Sequence, residues 1–320
     1  QGPGLGKWKP MNYGEKFYGP STMRLGIEKS RNLMTVRLAQ TIGMDAVVKV
    51  AKRFDIVDDM SPILSMALGA GETTLLRLTN AYAMLVNGGK RLHPSFIDRI
   101  QDRHGQTIFR QDPRACEGCA VMQWLDETET PEAETETETN GVPSIAEVPE
   151  LPALSKGIAD EGSVYQVVSM LEGVIQRGTG RSIRSIRKPL AGKTGTTNES
   201  MDAWFIGFSP DLVVGVFVGF DVPRSLGPRE TGSRVAAPIF RDFMEETLQG
   251  KPAVPFRIPP GIQLVRVDAQ TGLPARPGDR GVILEAFKPG TEPKERGPVI
   301  DGSGEYGAPT VPTDGTGGLY

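Results

Sequence analysis

Apolar residues recur at helical spacing through the first half of the chain. Segment 21–43 predicts a helix that ends at Gly43, with apolar positions at Met23, Ile27, Leu33, Val36, Leu38 and Ile42. Segment 44–56 repeats this pattern, and segment 74–89 predicts another helix that ends at a pair of glycines, a common helix C-terminal signal. Segment 96–110 alternates around His104-Gly105 and predicts a hairpin.

The second half combines helices with strands. Segment 164–178 predicts a helix that packs on a sheet, and segment 234–250 predicts a final helix. Segments 202–209 and 212–220 predict an antiparallel hairpin buried on both faces, with a shorter strand at Lys193–Thr196 beside it. This order predicts an α+β fold, an antiparallel sheet flanked by helices plus a helical subdomain.

Charge is distributed unevenly along the chain. The net charge is −3, yet segment 115–155 holds ten acidic residues and no Lys or Arg, so the remainder has 36 basic against 29 acidic residues. Segment 126–141 is of low complexity and predicts a disordered surface loop, with an acidic docking site as the alternative. The positive remainder would suit an anionic substrate or be a scattered solvated surface, and the absence of a basic stripe with aromatics argues against nucleic acid.

The chain is expected to be a fragment built around one large domain. It begins at Gln1 with a Gly/Pro-rich opening typical of mid-protein sequence, and no run reaches the roughly 18 apolar residues of a membrane helix, so no membrane segment is expected. We assign residues 1–250 to the main domain, with 115–155 as an inserted acidic linker. Residues 251–320 form a C-terminal extension with a short strand region and a disordered Gly/Pro-rich tail.

Two cysteines, Cys116 and Cys119, form a lone C-E-G-C at the start of the acidic linker. A zinc site would need two further ligands, and a thioredoxin-like motif would need a strand before it and a helix after it. A local disulfide in an oxidising compartment is the preferred interpretation, and zinc stays open as the alternative.

Candidate chemistry lies in two short motifs. Lys193-Thr194-Gly195, followed by Thr196, offers an ammonium, hydroxyls for a carboxylate, and a residue without Cβ that lets an extended peptide approach the strand. The other interpretation is an ordinary strand end. Ser30-Arg31-Asn32 is the only S-x-N in the chain, and where a helix starts or breaks both polar side chains can point into a cleft. Together the motifs predict that Ser30 Oγ and Lys193 Nζ lie within hydrogen-bonding distance.

The two motifs, with the blocks 12–45, 67–89 and 173–221, resemble the transpeptidase domain of class A penicillin-binding proteins, of the Gram-negative, alphaproteobacterial kind. The resemblance implies a β-lactamase-like fold, a place on the periplasmic face of the inner membrane, and D,D-transpeptidation through a serine acyl-enzyme. It implies peptidoglycan stem peptides and lipid II-derived glycan strands as partners, β-lactams as inhibitors, and no cofactor or metal.

The resemblance also implies residue roles. Ser30 would relay a proton to the leaving D-Ala or from the incoming amine with help from Lys193, and Asn32 would hold the acyl-side amide. Lys193 and either Thr194 or Thr196 would meet the terminal carboxylate, and the strand at Thr196 would supply one oxyanion-hole N–H. We include the strand's other residues, Gly195 and Thr197, among the substrate-binding set.

The family's third motif, the S-x-x-K that carries the nucleophile, has no good match. Ser21 is followed at the fourth position by Arg24, whose guanidinium cannot act as a general base, and the pair Ser185 and Lys188 is cut by Pro189. We therefore expect the attacking serine, a glycosyltransferase domain and a membrane anchor to lie upstream of Gln1, and this chain to be inactive alone.

Two other classes stay open. A β-lactamase or D,D-carboxypeptidase on the same fold would need a base for a deacylating water, and Glu199 is the nearest candidate by sequence. A non-catalytic peptidoglycan-binding module would keep the cleft without turnover.

Overall fold

The computed structural model of the chain describes residues 8–112 and 155–293. The chain divides into two compact units, Gln1–Leu92 with Gly157–Tyr320 and His93–Lys156. The helices are α1 (Met23–Glu28), α2 (Asn32–Ile42), α3 (Met44–Arg53), α4 (Leu75–Val86), α5 (Glu161–Arg177) and α6 (Ala236–Thr247). The strands are β1 (Arg99–Gln101), β2 (Thr107–Arg110), β3 (Ala191–Thr196), β4 (Ala203–Phe208), β5 (Val213–Val218), β6 (Gln263–Asp268) and β7 (Val282–Phe287).

The central sheet of the first unit is antiparallel, in the order β3-β4-β5. Strand β3 is as long as its neighbour rather than shorter, and Lys193 pairs with Ile206 in the register. Strand β4 is almost wholly buried, as predicted, but β5 is not, because Phe217 is 43% exposed and the rest of the strand is half-buried. The α+β prediction is confirmed.

Helices α5 and α6 cover this sheet with apolar side chains. Phe240 of α6 lies against Phe205 of β4, with their ring centroids 4.8 Å apart. Val168 and Val174 of α5 belong to a second buried cluster that includes Phe208. Since burial of each large apolar side chain contributes about 1.5–3 kcal/mol, these two clusters fix the sheet against its helices.

The second unit contains the predicted hairpin. Strands β1 and β2 pair antiparallel around His104-Gly105, and Asp102 Oδ1 accepts hydrogen bonds from the backbone N–H groups of His104 and Gln106. The acidic segment 126–141 and both Cys116 and Cys119 lie outside the described residues, so the predictions made for them stay predictions.

The long first helix that the pattern predicts is interrupted after α1. Ser30 adopts a left-handed conformation with φ +52°. The N–H of Ser30 donates to Ile27 O (3.1 Å) and the N–H of Arg31 donates to Gly26 O (2.9 Å). This pair of bonds is the Schellman arrangement that ends a helix, in which the left-handed position is usually glycine. The apolar spacing continued across the break, and for that reason periodicity alone did not locate it.

A buried carboxylate holds α1 against α5. Glu28 is 2% exposed. Its carboxylate accepts a hydrogen bond from Arg177 Nη2 at 2.6 Å and lies 3.5 Å from Arg24 Nη1. Two glycines of the α5 region make room for this residue. A Cβ added at Gly173 would overlap the Glu28 carboxylate, and one at Gly178 would overlap the Glu28 backbone carbonyl.

The C-terminal strands join the same network. Strands β6 and β7 pair antiparallel, and Glu285 of β7 accepts hydrogen bonds from the buried Arg24 guanidinium, one of them at 2.6 Å. The Arg24 guanidinium also donates to Ser169 O and Ser169 Oγ of α5, at 2.9 and 2.8 Å. The predicted strand region of the extension is therefore present, whereas residues 294–320 lie outside the described part.

Among the described residues, no helix combines the length and the apolar character needed to cross a membrane.

We predict that Gly173→Ala destabilises the protein by about 1–3 kcal/mol, the usual range for overpacking a closed site. Alanine normally favours a helix interior by up to about 1 kcal/mol. Here, however, the new methyl group would push the Glu28 carboxylate from Arg177 inside a buried site. Urea unfolding measures the change.

Gly162→Ala, in the first turn of the same helix, is the matched control because an added Cβ there meets atoms no closer than 3.3 Å. Equal stability of the two variants would contradict the docking role assigned to Gly173.

Candidate active site

The two motifs meet as the sequence predicts. Lys193 Nζ donates a hydrogen bond to Ser30 Oγ at 2.7 Å, although 163 positions separate the residues. Lys193 comes from β3, an edge strand of the described sheet, and Ser30 comes from the turn between α1 and α2. The left-handed backbone of Ser30 therefore places its hydroxyl beside an ammonium.

Lys193 is half-buried at this contact, and its ammonium also donates to Thr194 O at 3.1 Å. Desolvation lowers the pKa of Lys193 from 10.5 to about 8. The unfolded chain holds this proton more tightly than the folded chain, so the contribution of Lys193 to stability increases as the pH rises from about 8 to 10.5. A lysine with this pKa can give and take a proton near neutral pH.

Asn32, the first residue of α2, has a different hydrogen-bond partner. Its side-chain amide donates to Met11 O at 2.9 Å, and the neighbouring Leu33 N–H donates to Asn12 Oδ1 at 3.1 Å. Segment 8–12 therefore lies beside the S-x-N motif. The structure brings Ser30 and Lys193 into direct contact and gives Asn32 a partner outside that pair.

Two threonines of β3 have different neighbours. The Thr194 and Thr179 hydroxyls share a hydrogen bond of 2.9 Å, whereas Thr196 Oγ1 accepts from the backbone N–H of Gly232 at 3.0 Å. A Cβ added at Gly232 would overlap the carbonyl oxygens of Gly195 and Trp204, so only glycine fits this close approach.

The remaining predicted residues border the strand. Gly195 pairs with Trp204 in the register, and an added Cβ at Gly195 would lie 3.0 Å from Trp204 Cβ. Thr197 closes the turn after β3, because its hydroxyl accepts from the Asp202 N–H at 2.8 Å and its own N–H donates to Asp202 O at 3.2 Å. The side chain of Glu199, within this turn, is exposed.

The two serines with nucleophile-like spacing are engaged elsewhere. Ser21 Oγ accepts from the Arg31 guanidinium, while Arg24 is bound to Glu285. Ser185 Oγ donates to Ser182 O at 3.3 Å, and Lys188 Nζ donates to the backbone carbonyl of Lys251. These contacts agree with the sequence argument against both pairs.

Three positions near the site were missed by the sequence analysis: Glu28, Thr179 and Gly232. The glycine at 173, inside an otherwise regular helical pattern, was an available signal, since an interior glycine costs helix stability and indicates a close packing contact. The threonine between Gly178 and Gly180, just after a helix end, was a second signal.

Comparison with known proteins gives one consistent family. Residues 1–245 match the model of the penicillin binding protein transpeptidase domain. Penicillin-binding protein 1A of Rickettsia conorii is 46% identical over 288 residues, which are 90% of this chain and 34% of that protein. The chain thus spans about a third of the length of the curated relatives that it matches.

Solved structures agree on the fold. The crystal structure of penicillin-binding protein 1A from Haemophilus influenzae matches with a TM-score of 0.72 and 32% identity, over 92% of this chain and 44% of that one. The PonA1 protein of Mycobacterium tuberculosis, solved in complex with penicillin V, matches with a TM-score of 0.56 and 20% identity, over 78% and 62% of the two chains.

We predict that Ser30→Gly is more stable than Ser30→Ala by about 1 kcal/mol, because a left-handed residue with a Cβ costs roughly 1–2 kcal/mol and glycine does not. Both variants remove the hydroxyl that Lys193 contacts. Thermal and urea unfolding of the pair measure the difference, in which the lost hydrogen bond cancels. An alanine variant at least as stable as the glycine variant would contradict the assigned conformation.

Proposed function

Because the chain belongs to the transpeptidase family of penicillin-binding proteins, we propose that it forms most of a peptidoglycan D,D-transpeptidase site of the class A kind. Such a site cross-links stem peptides through a serine acyl-enzyme. The hydrogen bond between Ser30 Oγ and Lys193 Nζ is the observation that carries the proposal. It joins the two motifs, and it involves a lysine whose pKa is lowered by desolvation. Peptidoglycan stem peptides, lipid II-derived strands and inhibitory β-lactams are the proposed partners.

In this proposal Ser30 and Lys193 move one proton. When an attacking serine adds to the penultimate D-Ala carbonyl, its hydroxyl proton passes to the lysine of its own S-x-x-K motif, the amide C–N bond breaks, and the leaving D-Ala nitrogen gains a proton. Ser30 Oγ donates that proton and receives another from Lys193 Nζ. Lys193 can supply it because its pKa of about 8 keeps it mostly protonated at neutral pH. When the acceptor amine attacks the acyl ester, the ester C–O bond breaks, the serine oxygen takes its proton back from the S-x-x-K lysine, and a proton passes from the amine through Ser30 to Lys193.

Thr196 is the proposed donor to the terminal carboxylate. Its oxygen already accepts the Gly232 N–H, so its hydroxyl hydrogen is available to an anion. Lys193 adds positive charge beside the same strand, and the edge of β3 can receive an extended peptide, with Gly195 leaving room for it. Asn32 is proposed to hold the acyl-side amide after releasing Met11 O.

The attacking serine is not assigned within this sequence. Ser30 and Ser21 have no lysine at the fourth position, and in the pair Ser185 and Lys188 the two side chains contact Ser182 O and Lys251 O rather than each other, so we propose that the chain is inactive alone. In the intact parent the site would face the periplasm, where its substrate is found, anchored to the inner membrane and accompanied by a glycosyltransferase domain.

We predict that diacetyl-L-Lys-D-Ala-D-Ala binds the chain and shifts the NMR signals of Ser30 and of Lys193–Thr196. Thr196→Val should weaken binding about 10-fold or more, because a hydrogen bond to a charged group contributes about 1.5–3 kcal/mol. The same peptide with a C-terminal amide should bind much more weakly.

Thr247→Val is the matched control, since Thr247 is the last residue of α6 and its hydroxyl donates within that helix, to Phe243 O at 2.8 Å. Equal binding of the amide and the acid, or shifts confined to other surfaces, would refute the carboxylate site.

We predict that mass spectrometry after incubation with benzylpenicillin finds this chain unmodified. Acylation needs a hydroxyl beside a base that can take its proton; the fourth position counted from Ser30 is Leu33 rather than a lysine, and Lys193 is mostly protonated below its pKa of about 8 and donates to Ser30. A stoichiometric adduct on Ser30, Ser21 or Ser185 would overturn the proposed inactivity. Hydrolysis of the penicillin would instead favour the β-lactamase alternative.

A further inference from the structure

Thr179 makes two hydrogen bonds that point in different directions. It follows α5 directly, after Gly178, and its backbone N–H donates to Glu28 O at 3.1 Å. Its hydroxyl shares the 2.9 Å hydrogen bond with Thr194 Oγ1. The first bond reaches the turn that carries Ser30, and the second reaches the strand that carries Lys193.

These bonds close a ring around the candidate site. Glu28 lies two residues before Ser30, and Thr194 directly follows Lys193. The ring therefore runs from Ser30 through Glu28 and Thr179 to Thr194, and returns through the 2.7 Å contact of Lys193 with Ser30. Within it, Thr179 touches both motifs at once.

The hydroxyl of Thr179 is not used to end the helix. At the end of α5, Val174 O accepts the N–H of Gly178 at 3.0 Å and that of Gly180 at 3.1 Å, and Arg177 O accepts from Lys29 Nζ. The Thr179 hydroxyl therefore does not cap α5, and it is available for the contact with Thr194.

We propose that Thr179 is a positioning residue that ties the S-x-N turn to the K-T-G strand and thereby sets the contact between Ser30 and Lys193. The role of the contact between Ser30 and Lys193 rests on the proposed function, but the positioning of the two residues by Thr179 does not. Loss of the hydroxyl would free Thr194 and loosen β3 beside Lys193. Water would then reach the Lys193 ammonium, and the desolvation that lowers its pKa would be reduced.

The test is the titration of Lys193 in the folded chain, followed by NMR of labelled lysine and assigned with Lys193→Met. Thr179→Val keeps the shape and the backbone N–H but removes the hydroxyl. We expect the pKa of Lys193 to rise from about 8 by roughly 0.5 or more, toward its ordinary value, in this variant. Thr179→Ser should keep the parent value, and so should the control Thr247→Val.

Thr194→Val provides the second variant and keeps the test decisive if Thr179→Val does not fold. Removing the other hydroxyl should raise the pKa of Lys193 equally, and the double variant should change it no further, because both residues act through one hydrogen bond. An unchanged pKa in folded Thr179→Val or Thr194→Val, additive changes, or failure of serine to restore the value would overturn the proposal.

The titration needs no ligand, so its outcome is independent of the proposed transpeptidase role. If the D-Ala-D-Ala peptide fails to bind while the titration behaves as expected, the positioning role stands and the proposed function falls. If the peptide binds but the pKa of Lys193 is unchanged in the variants, the positioning role of Thr179 is refuted and the proposed function stands.

Discussion

The structure around the site depends on one buried carboxylate. Glu28 is buried, and an unpaired charge in the interior costs several kcal/mol unless neighbouring groups compensate for it. Arg177 from α5 and Arg24 from its own helix supply that compensation, and Arg24 extends the network to Glu285 of β7. Three elements that are far apart in sequence are thereby held at the point where α1 ends.

That constraint explains why a serine can occupy a left-handed position. Such a conformation persists in a residue with a Cβ only where its surroundings over-determine it. Here Glu28 fixes the end of α1 through its side chain and its carbonyl, and the Schellman bonds fix the next two residues. The strain at Ser30 is thus offset by the docking of α1, and it places the hydroxyl beside Lys193.

The sequence predicted the family and the meeting of its two motifs better than it predicted the local geometry. The family, the contact of Ser30 with Lys193 and the α+β class are confirmed. These features could be predicted because short motifs and the spacing of apolar residues can be recognised in the sequence alone. The break at Ser30 was missed because apolar positions continue across it. The pairing of Glu28 with Arg177 joins residues 149 positions apart, and no local pattern reports such a contact.

The sequence also left open whether Thr194 or Thr196 meets a carboxylate, and the structure provides a physical basis for choosing. Side chains alternate along a strand, so these two threonines share one face of β3. Each hydroxyl has one hydrogen to donate. The Thr194 hydroxyl shares a hydrogen bond with Thr179 in which either oxygen can be the donor, whereas the Thr196 oxygen accepts from the Gly232 N–H and keeps its hydrogen. Under the proposed function, Thr196 is therefore the donor that can bind the anion whichever way the bond between Thr179 and Thr194 is oriented, and Thr194 holds the strand in place for it.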